Sequence, residues 1–320
     1  MRLSICTPTW NRSSSLSKSL RETARQIQAA GLQNEVELCV SDNGSTDNTQ
    51  EVIQSVHADF ASVSLRVNSF DCNKGFASNL DATVRQATGE FLFLIGDDDC
   101  FRLNGVQELL VAASRTEDFL FLKNLWNLQG RMEWDSLKAN QRVSYSNVSE
   151  SLVALGAFHP TFIGNFLVRR VAYLVNSESK FLNSIYPHTA IIFEVVKGKS
   201  VSFENLTCIE VDDADRRVGA CSARGIAIDV ARIQTEGHLL DQKNFTDVFR
   251  FYSLFLRSIP RAVLNAKTGS CPSTHGKYTD IRPRNLLEVY RASYFAMMVA
   301  VALYVVARMI PCRFLRMILT

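Results

Sequence analysis

The stretch from residue 91 to residue 99 constrains the fold most strongly. Five consecutive apolar residues, Phe-Leu-Phe-Leu-Ile, lead directly into Gly96 and then Asp97, Asp98 and Asp99. An unbroken apolar run of this length predicts a strand buried on both faces, as in a parallel sheet. In open α/β sheets ligands bind beyond the carboxyl ends of the strands, and the three acids fall at such an end.

The three adjacent carboxylates point to a cation. They repel one another, and burying them without partners would be costly. Mg²⁺ or Mn²⁺ would relieve that repulsion, because both ions favour carboxylate and phosphate oxygens. The alternative is an acidic surface turn with no ligand. The residues that precede the strand bear on this choice.

Three earlier segments repeat one order of strand, polar loop and helix. The sequence predicts strands at residues 3–7, where Pro8 ends the strand, at 36–40 and at 64–67. Apolar residues recur at helical spacing after each polar loop. This alternation predicts an α/β fold with a mostly parallel, doubly wound sheet flanked by helices.

Several function classes are disfavoured. The chain has no G-x-G-x-x-G after the first predicted strand and no G-x-x-x-x-G-K-[ST], so the usual dinucleotide-binding and P-loop motifs are absent. A net charge of +3 is too small to indicate nucleic acid. The eight cysteines form no C-x-x-C pair and no zinc spacing, which favours a reducing cytoplasm. The first residues have too short an apolar run for a signal peptide.

Four segments together resemble the family 2 glycosyltransferases of the GT-A fold. They are Ser-Ile-Cys-Thr-Pro-Thr-Trp-Asn-Arg at 4–12, Val-Ser-Asp-Asn-Gly-Ser-Thr-Asp at 40–47, Asn-Lys-Gly at 73–75, and Gly-Glu at 89–90 followed by Gly-Asp-Asp-Asp at 96–99. Their order and spacing match the family over the first hundred residues. The resemblance implies a GT-A fold and sugar transfer from a nucleotide-sugar.

The resemblance also implies the site residues. Asp97 and Asp99 would form the D-x-D pair that binds Mn²⁺ or Mg²⁺, with Asp99 also counted as catalytic and Asp42 placed on the nucleotide base. The residues expected to bind the donor are Thr7, Pro8, Thr9, Asn11, Arg12, Asp42, Asn43, Lys74, Gly75, Asp97 and Asp98. A divalent cation there would neutralise the charge that develops on a nucleoside diphosphate leaving group.

The segment Tyr186-Pro187-His188 stands where the resembled family usually carries an acidic motif. About ninety residues after the D-x-D, family 2 enzymes usually carry an acid, often Glu-Asp, that serves as the base. This chain departs from that pattern and looks more like the branch containing the abequosyltransferases of O-antigen synthesis. Pro187 suits the first turn of a helix, which predicts His188 at an exposed helix start. His188 is the candidate base, since imidazole accepts a proton near neutral pH. A helix cap and a histidine beside the metal are the alternatives.

The acceptor half is less regular. Residues 118–122 predict a strand, and residues 162–170 predict a strand that enters a helix. Residues 123–146, which include Trp126 and Trp134, predict an irregular insertion near the site. Either tryptophan would stack on an acceptor sugar or pack into the core.

A closing strand or pair is predicted at residues 201–211. It ends in an acidic stretch that includes Arg216 and Arg217. In the resembled branch an arginine faces the site after a late strand, and either residue would bind diphosphate as a fork-shaped donor. The alternative is surface pairing with the neighbouring acids, which contributes little.

The predicted organisation has two parts. Residues 1–220 form the catalytic domain, with a donor half at 1–122 and an acceptor half at 123–220, and residues 221–320 form a helical appendage. Residues 294–307 carry no charge but are shorter than the roughly 20 residues of a membrane span. From residue 277 onward, seven Lys and Arg oppose two acids. This basic apolar tail favours an anionic membrane surface or, alternatively, a buried terminal helix.

The sequence and its resemblance predict one principal function. It is a metal-dependent hexosyl- or deoxyhexosyltransferase that acts on a hydroxyl of a lipid-linked oligosaccharide in O-antigen or capsule assembly. It would lie on the cytoplasmic face of the bacterial plasma membrane. Alternatives are a sugar nucleotidyltransferase, whose glycine-rich loop is missing after the first strand, and a non-catalytic nucleotide-sugar-binding protein, favoured only by the missing Glu-Asp.

Overall fold

The computed structural model describes residues 1–124, 137–148, 150–151, 162–177 and 186–210, together with the isolated residues 306 and 309. No helix in these ranges is long and apolar enough to cross a membrane. Trp126, Trp134, Arg216 and Arg217 lie outside the described residues. So do the helical appendage and its basic tail, apart from the two isolated residues.

Ten strands and six helices fall within the described ranges. The strands are β1 Leu3–Thr9, β2 Val36–Asp42, β3 Ser64–Ser69, β4 Phe91–Leu94, β5 Cys100–Phe101, β6 Phe119–Leu122, β7 Arg142–Tyr145, β8 Phe166–Arg169, β9 Val201–Glu204 and β10 Ile209–Glu210. The helices are α1 Ser13–Ala29, α2 Thr49–Asp59, α3 Phe76–Arg85, α4 Gly105–Ser114, α5 Arg170–Asn176 and α6 Pro187–Val196. All of these elements belong to one compact unit.

Eight of the strands form one mixed sheet in the order β3-β2-β1-β4-β8-β6-β9-β7. The first four strands are mutually parallel, β6 and β9 are parallel, and the other three pairs are antiparallel. This confirms the predicted α/β sheet with flanking helices. From β1 the chain winds outward to β2 and β3 and then returns to place β4 on the other side of β1. The strand order therefore reverses between β1 and β4, which is where such sheets bind ligands.

The core explains why these segments form these elements. All seven residues of β1 and of β2 are buried, and so is the apolar run of β4. The apolar stripe of α1, which includes Leu16, Leu20 and Ile27, packs in the same cluster as these strands. Each such side chain contributes about 1.5–3 kcal/mol when it leaves water. The predicted helical spacing of α1 is confirmed.

Strand β1 runs past the predicted stop at Pro8, so that expectation is wrong. Pro8 pairs with Ser41 of β2, whereas the pairing of β1 with β4 ends at Cys6 and Leu94. The backbone carbonyl of Cys6 points toward β4 and accepts the N–H of Ile95. Because backbone groups two residues apart in a strand point to the same side, the backbone N of Pro8 also points toward β4, beyond the end of that strand. The missing N–H of proline therefore costs no ladder bond. This extension carries Thr9 to the edge of the sheet.

The structure of the acceptor half tests two further expectations. Residues 142–145, which were predicted to belong to an irregular insertion, form strand β7 against β9. The described residues of the predicted closing strand or pair form two strands, β9 and β10, but β10 lies outside the main sheet and pairs with β5. Because β5 directly follows the three acids, β10 fixes the segment that leaves the acidic turn.

Glu37 is a buried charge that ties three strands together. Its carboxylate is 0% exposed and accepts hydrogen bonds from the Ser4 hydroxyl at 2.6 Å, Thr88 N–H at 2.6 Å and Arg66 Nε at 2.7 Å. Gly89 N–H adds a bond of 3.1 Å. Burial alone would raise the pKa of Glu37, but these bonds outweigh it and hold the pKa below its usual value.

The substitution Glu37→Gln is expected to destabilise the fold by about 3 kcal/mol at neutral pH, because it removes a buried charge that donors from two strands and a loop stabilise. Since the folded pKa is lowered, the stabilisation is present above about pH 4.3 and is lost as pH falls through the folded pKa. Urea unfolding of both proteins at neutral and acidic pH measures this. Glu35→Gln is the control, because Glu35 and its partner Arg2 are both largely exposed. Equal losses in the two variants would contradict the assignment.

Candidate active site

A single hydrogen bond brings the first and last sequence motifs together. Thr9 Oγ1, at the end of β1, donates to Oδ2 of Asp97 at 2.8 Å. The Thr9 carbonyl accepts the N–H of Asn43 from the loop after β2, at 3.0 Å. Three strand ends therefore meet at the point where the strand order reverses.

The loops after β1 and β2 are bonded to each other. Asn11 donates its N–H to Ser45 Oγ at 2.8 Å and accepts the N–H of Thr46 on Oδ1 at 2.7 Å. Asn11 has a φ of 52°, a left-handed conformation that asparagine tolerates better than most residues. Ser13, at the start of α1, donates its N–H to Asp47 Oδ2 at 3.0 Å. These bonds join the loops at residues 10–12 and 43–48 into one unit, called the rim below.

Asp47 anchors this rim by joining two helix starts. Burial would raise the pKa of its carboxyl, but the hydrogen bonds from Thr49 and Ser13 outweigh burial and lower the pKa to about 2. The carboxylate is therefore ionised at neutral pH between α1 and α2. Sequence analysis included Asp47 in a motif without this role. An acid two residues before Thr49 at a helix start was the available signal.

Asp42 is fully buried at the end of β2. Its Oδ1 accepts the N–H of Ser45 at 3.1 Å, and its Oδ2 accepts Nε2 of Gln50 at 3.2 Å. The carboxylate therefore fixes the loop that follows β2. Its contact with a nucleotide base stays a prediction.

The second and third motifs also meet. Asn43 Nδ2 donates to Asn73 Oδ1 at 3.0 Å, and Asn43 Oδ1 accepts the N–H of Lys74 at 2.8 Å. Gly75 donates its N–H to Asn73 Oδ1 at 2.8 Å, with a φ of 88° that favours glycine. Helix α3 begins directly afterwards, at Phe76. The structure thus assembles all four motifs at the carboxyl ends of the parallel strands β1 to β4.

The acidic turn folds back over its own glycine. A Cβ on Gly96 would lie 2.8 Å from both Asp98 Oδ1 and Asp99 Oδ2, so a side chain there would displace the acids. Asp98 lies 3.7 Å from Arg12 of the first motif. Asp99 is 4% exposed, and its carbonyl accepts Ser19 Oγ of α1 at 2.6 Å. Sequence analysis missed Ser19, whose signal was a hydroxyl on the apolar face of a helix.

Burial raises the pKa of Asp97, and the Thr9 hydroxyl, the charge of Arg12 and the Trp10 backbone offset it only in part. A carboxylate whose charge is disfavoured by burial gains from a nearby cation. The turn presents hard oxygen donors, which fit Mg²⁺ or Mn²⁺. Over the described ranges, no group of three His, Cys, Asp or Glu side chains is arranged to hold a metal by itself.

His188 is not at an exposed helix start, so that expectation is wrong. It is 3% exposed and surrounded by aromatic rings: Phe166 stacks at 6.1 Å between ring centroids, and Phe76 and Tyr186 approach edge-on at 6.2 and 6.0 Å. Strand β8 supplies Phe166 and α3 supplies Phe76, and these cover the start of α6. Because Phe76 follows Gly75, His188 lies beside the third motif. Its role as the base stays a prediction.

The family follows from a comparison of the whole chain with known protein families. The sequence model of the family described as Glycosyl transferase family 2 matches residues 4–173, more than half of the chain. The chain belongs to this family.

Two curated bacterial relatives of this family 2 glycosyltransferase carry the names of sugar transferases. Abequosyltransferase RfbV of Salmonella typhimurium strain LT2 is 22% identical over an alignment of 279 positions that covers 81% of each protein. The second is GalNAc(5)-diNAcBac-PP-undecaprenol beta-1,3-glucosyltransferase of Campylobacter jejuni. It is 24% identical over 219 residues, 63% of this chain and 67% of the relative.

Solved structures share the fold. S. aureus TarS 1–349 in complex with UDP superposes with a TM-score of 0.54 at 14% identity, covering 96% of this chain and 90% of TarS. The mannosyltransferase PcManGT from Pyrobaculum calidifontis, in complex with GDP-Man and Mn²⁺, gives 0.57 at 12% identity, covering 95% and 87%. At these identities the likeness shows the fold of the family 2 glycosyltransferase.

The remaining predicted donor residues of the glycosyltransferase lie along the same edge. Thr7 is buried within β1, two residues before Thr9. Lys74 is exposed, and its backbone N–H completes the bond to Asn43. Arg12 is exposed beside the acidic turn. The structure therefore gathers these residues, whereas their contacts with a donor stay predictions.

Proposed function

We propose that this family 2 glycosyltransferase moves a sugar from a nucleotide-sugar to a hydroxyl of a lipid-linked oligosaccharide, with Mn²⁺ or Mg²⁺, in bacterial O-antigen or capsule synthesis. The observation that carries the proposal is the hydrogen bond from Thr9 to Asp97. It joins the loop proposed to hold the nucleotide to the acids proposed to hold the metal, at the edge where the strand order reverses.

The donor would lie across the rim, the joined loops after β1 and β2. The base of its nucleotide would lie near Asp42, and its diphosphate would lie at the acidic turn. Arg12 and Lys74 are exposed cations beside that path, and Asn11 and Asn43 hold the loops on either side. TarS was solved in complex with UDP and PcManGT in complex with GDP-Man, which supports a nucleotide-sugar as the ligand of this fold.

Asp97 and Asp99 are the proposed metal ligands. Mg²⁺ is commonly bound by one or two carboxylates together with substrate phosphates, which suits this pair of acids. A bound divalent cation would neutralise the negative charge that accumulates on the departing diphosphate. Thr9 and Ser19 hold the two ends of the turn, so the acids are preorganised for that task.

In the proposed reaction, the acceptor hydroxyl oxygen forms a bond to the anomeric carbon of the donor sugar. The bond from that carbon to the diphosphate oxygen breaks, and the nucleoside diphosphate leaves with the electron pair. The hydroxyl proton passes to a base, for which His188 is the candidate. A neutral imidazole accepts such a proton, and the His188 ring packs against Phe76 and Phe166 beside the third motif.

The proposed acceptor is lipid-linked. The name of the Campylobacter jejuni relative specifies an undecaprenol diphosphate carrier, which supports an acceptor of this class. The basic residues from position 277 onward would hold the chain against an anionic leaflet, at roughly 1 kcal/mol for each nearby cation. The chain would then act as a peripheral protein on the cytoplasmic face of the plasma membrane.

A thermal-shift screen of UDP-, GDP-, CDP- and dTDP-sugars with Mn²⁺, Mg²⁺ or EDTA tests donor binding. We expect sugars of one nucleotide to raise Tm only when a cation is present, since a ligand at 100 times its Kd stabilises by about 2.7 kcal/mol. No shift with any nucleotide-sugar would contradict the proposal. Synthesis of nucleotide-sugar from a nucleoside triphosphate and a sugar 1-phosphate would indicate a nucleotidyltransferase instead.

A further inference from the structure

Asn79, the fourth residue of α3, carries a buried side-chain amide. It is 2% exposed, and its Nδ2 donates to the carbonyl of Thr9 at 3.1 Å. Its Oδ1 is buried and accepts no hydrogen bond in the described part of the chain. Leaving such an acceptor unsatisfied costs about 1–3 kcal/mol. An apolar residue would avoid that cost at this position, so the amide has another use.

The Asn79 amide acts at the backbone carbonyl of Thr9, which accepts two hydrogen bonds. Asn79 Nδ2 donates one, and the N–H of Asn43 donates the other at 3.0 Å. A carbonyl oxygen has two lone pairs, so both acceptor positions of Thr9 are filled. The backbone of Thr9 is thereby fixed from α3 on one side and from the loop after β2 on the other.

A fixed backbone at Thr9 fixes its hydroxyl. Threonine is β-branched, so its χ1 is restricted and the direction of Oγ1 follows the backbone. Oγ1 donates to Oδ2 of Asp97 at 2.8 Å. A chain of two hydrogen bonds therefore leads from Asn79 to the carboxylate of Asp97.

We propose that Asn79 is a positioning residue that sets the orientation of the Asp97 carboxylate through Thr9. The inference rests on the proposed role of Asp97 as a metal ligand. Asn79 itself would contact neither metal nor donor. Partners that orient a metal ligand typically contribute 10–100-fold in metal affinity or activity. Because Asn79 acts through Thr9, the lower end of that range is expected.

The test compares Asn79→Leu with a matched control, Gln86→Leu. Gln86 also donates a side-chain N–H to a strand carbonyl, that of Val40 in β2, at 2.8 Å. The Kd of Mn²⁺ is measured by proton relaxation with the full chain, alone and with UDP, GDP, CDP or dTDP. We expect Asn79→Leu to weaken Mn²⁺ binding about tenfold. We expect Gln86→Leu to lower Tm and leave Mn²⁺ binding unchanged.

A double-variant cycle with Thr9→Val tests the route. If Asn79 acts through the Thr9 hydroxyl, Asn79→Leu will weaken Mn²⁺ binding in the wild-type background and have no further effect in Thr9→Val. Equal losses in both backgrounds would overturn the inference. If the leucine variant does not fold, Asn79→Ala gives the same comparison, because water can enter the vacated space.

The outcomes separate the two claims. Wild-type protein that binds Mn²⁺, with Asn79→Leu binding it equally well, would overturn the positioning role and leave the proposed function standing. Equal weakening by Asn79→Leu and Gln86→Leu would also overturn the role, because it would reflect a general loss of structure. Wild-type protein that binds no Mn²⁺, alone or with any of the four nucleotides, would overturn the proposed metal site and the positioning role together.

Discussion

The substitution Asp97→Ala is expected to lower sugar transfer by at least about 10²-fold, roughly 3 kcal/mol of transition-state stabilisation. The variant loses a carboxylate proposed to bind the metal, and it leaves the Thr9 hydroxyl without its acceptor. The fold should be retained, because Asp97 follows the end of β4 and is only partly buried. Steady-state transfer rates at saturating Mn²⁺, together with Tm, measure the two effects separately.

The control for this variant is Asp59→Ala. Asp59 is the last residue of α2, far along the helix from the strand ends, and its partner Arg21 is also exposed. Surface ion pairs of this kind contribute about 0–1 kcal/mol to stability, so transfer should be unchanged. A folded Asp97→Ala protein with wild-type turnover would show that the acidic turn is not the metal site. Asp99→Asn should act in the same direction as Asp97→Ala.

The substitution His188→Gln is expected to lower transfer by roughly 10²–10⁴-fold, the usual contribution of a general base. Glutamine is close to histidine in size and suits the space between Phe76 and Phe166 better than alanine would. Nucleotide binding should change little, because the proposed role of the imidazole is toward the acceptor. Transfer rates and donor affinity are measured on the same preparations.

The control is His57→Gln, since His57 is an exposed histidine on α2. If nucleotide binding is lost together with transfer in His188→Gln, His188 belongs to the metal or diphosphate site. If neither changes, the base lies elsewhere. Glu194 of α6 is then the first candidate, followed by Asp212 and Asp213, which lie outside the described residues.

The parallel half of the sheet was predictable because its energetics are local in the sequence. A strand covered on both faces must be an apolar run, as in β4, and each helix stripe repeats at a fixed spacing. Strand ends were less predictable. Pro8 looked like a stop, yet it continues β1, because the neighbouring strand β4 has already ended at that level. That fact depends on a partner strand more than 80 residues away in the sequence.

The environment of His188 depends on long-range packing. Its helix start was correctly predicted at Pro187, but its burial comes from Phe76 and Phe166 on distant elements. Local sequence carries no signal for such contacts. The same holds for Asn79 and for Glu37, whose sequence positions gave no hint of the groups that surround them.

The wild-type reaction, on which both variant measurements depend, is also the most direct test of the central claim. The full chain is incubated with its nucleotide-sugar, Mn²⁺ and an undecaprenyl diphosphate-linked oligosaccharide, and released nucleoside diphosphate and lengthened glycolipid are quantified together. We predict that the two products appear in equal amounts, increase with acceptor and stop when EDTA removes the metal. Release of nucleoside diphosphate that neither depends on the metal nor yields a lengthened acceptor would contradict the account.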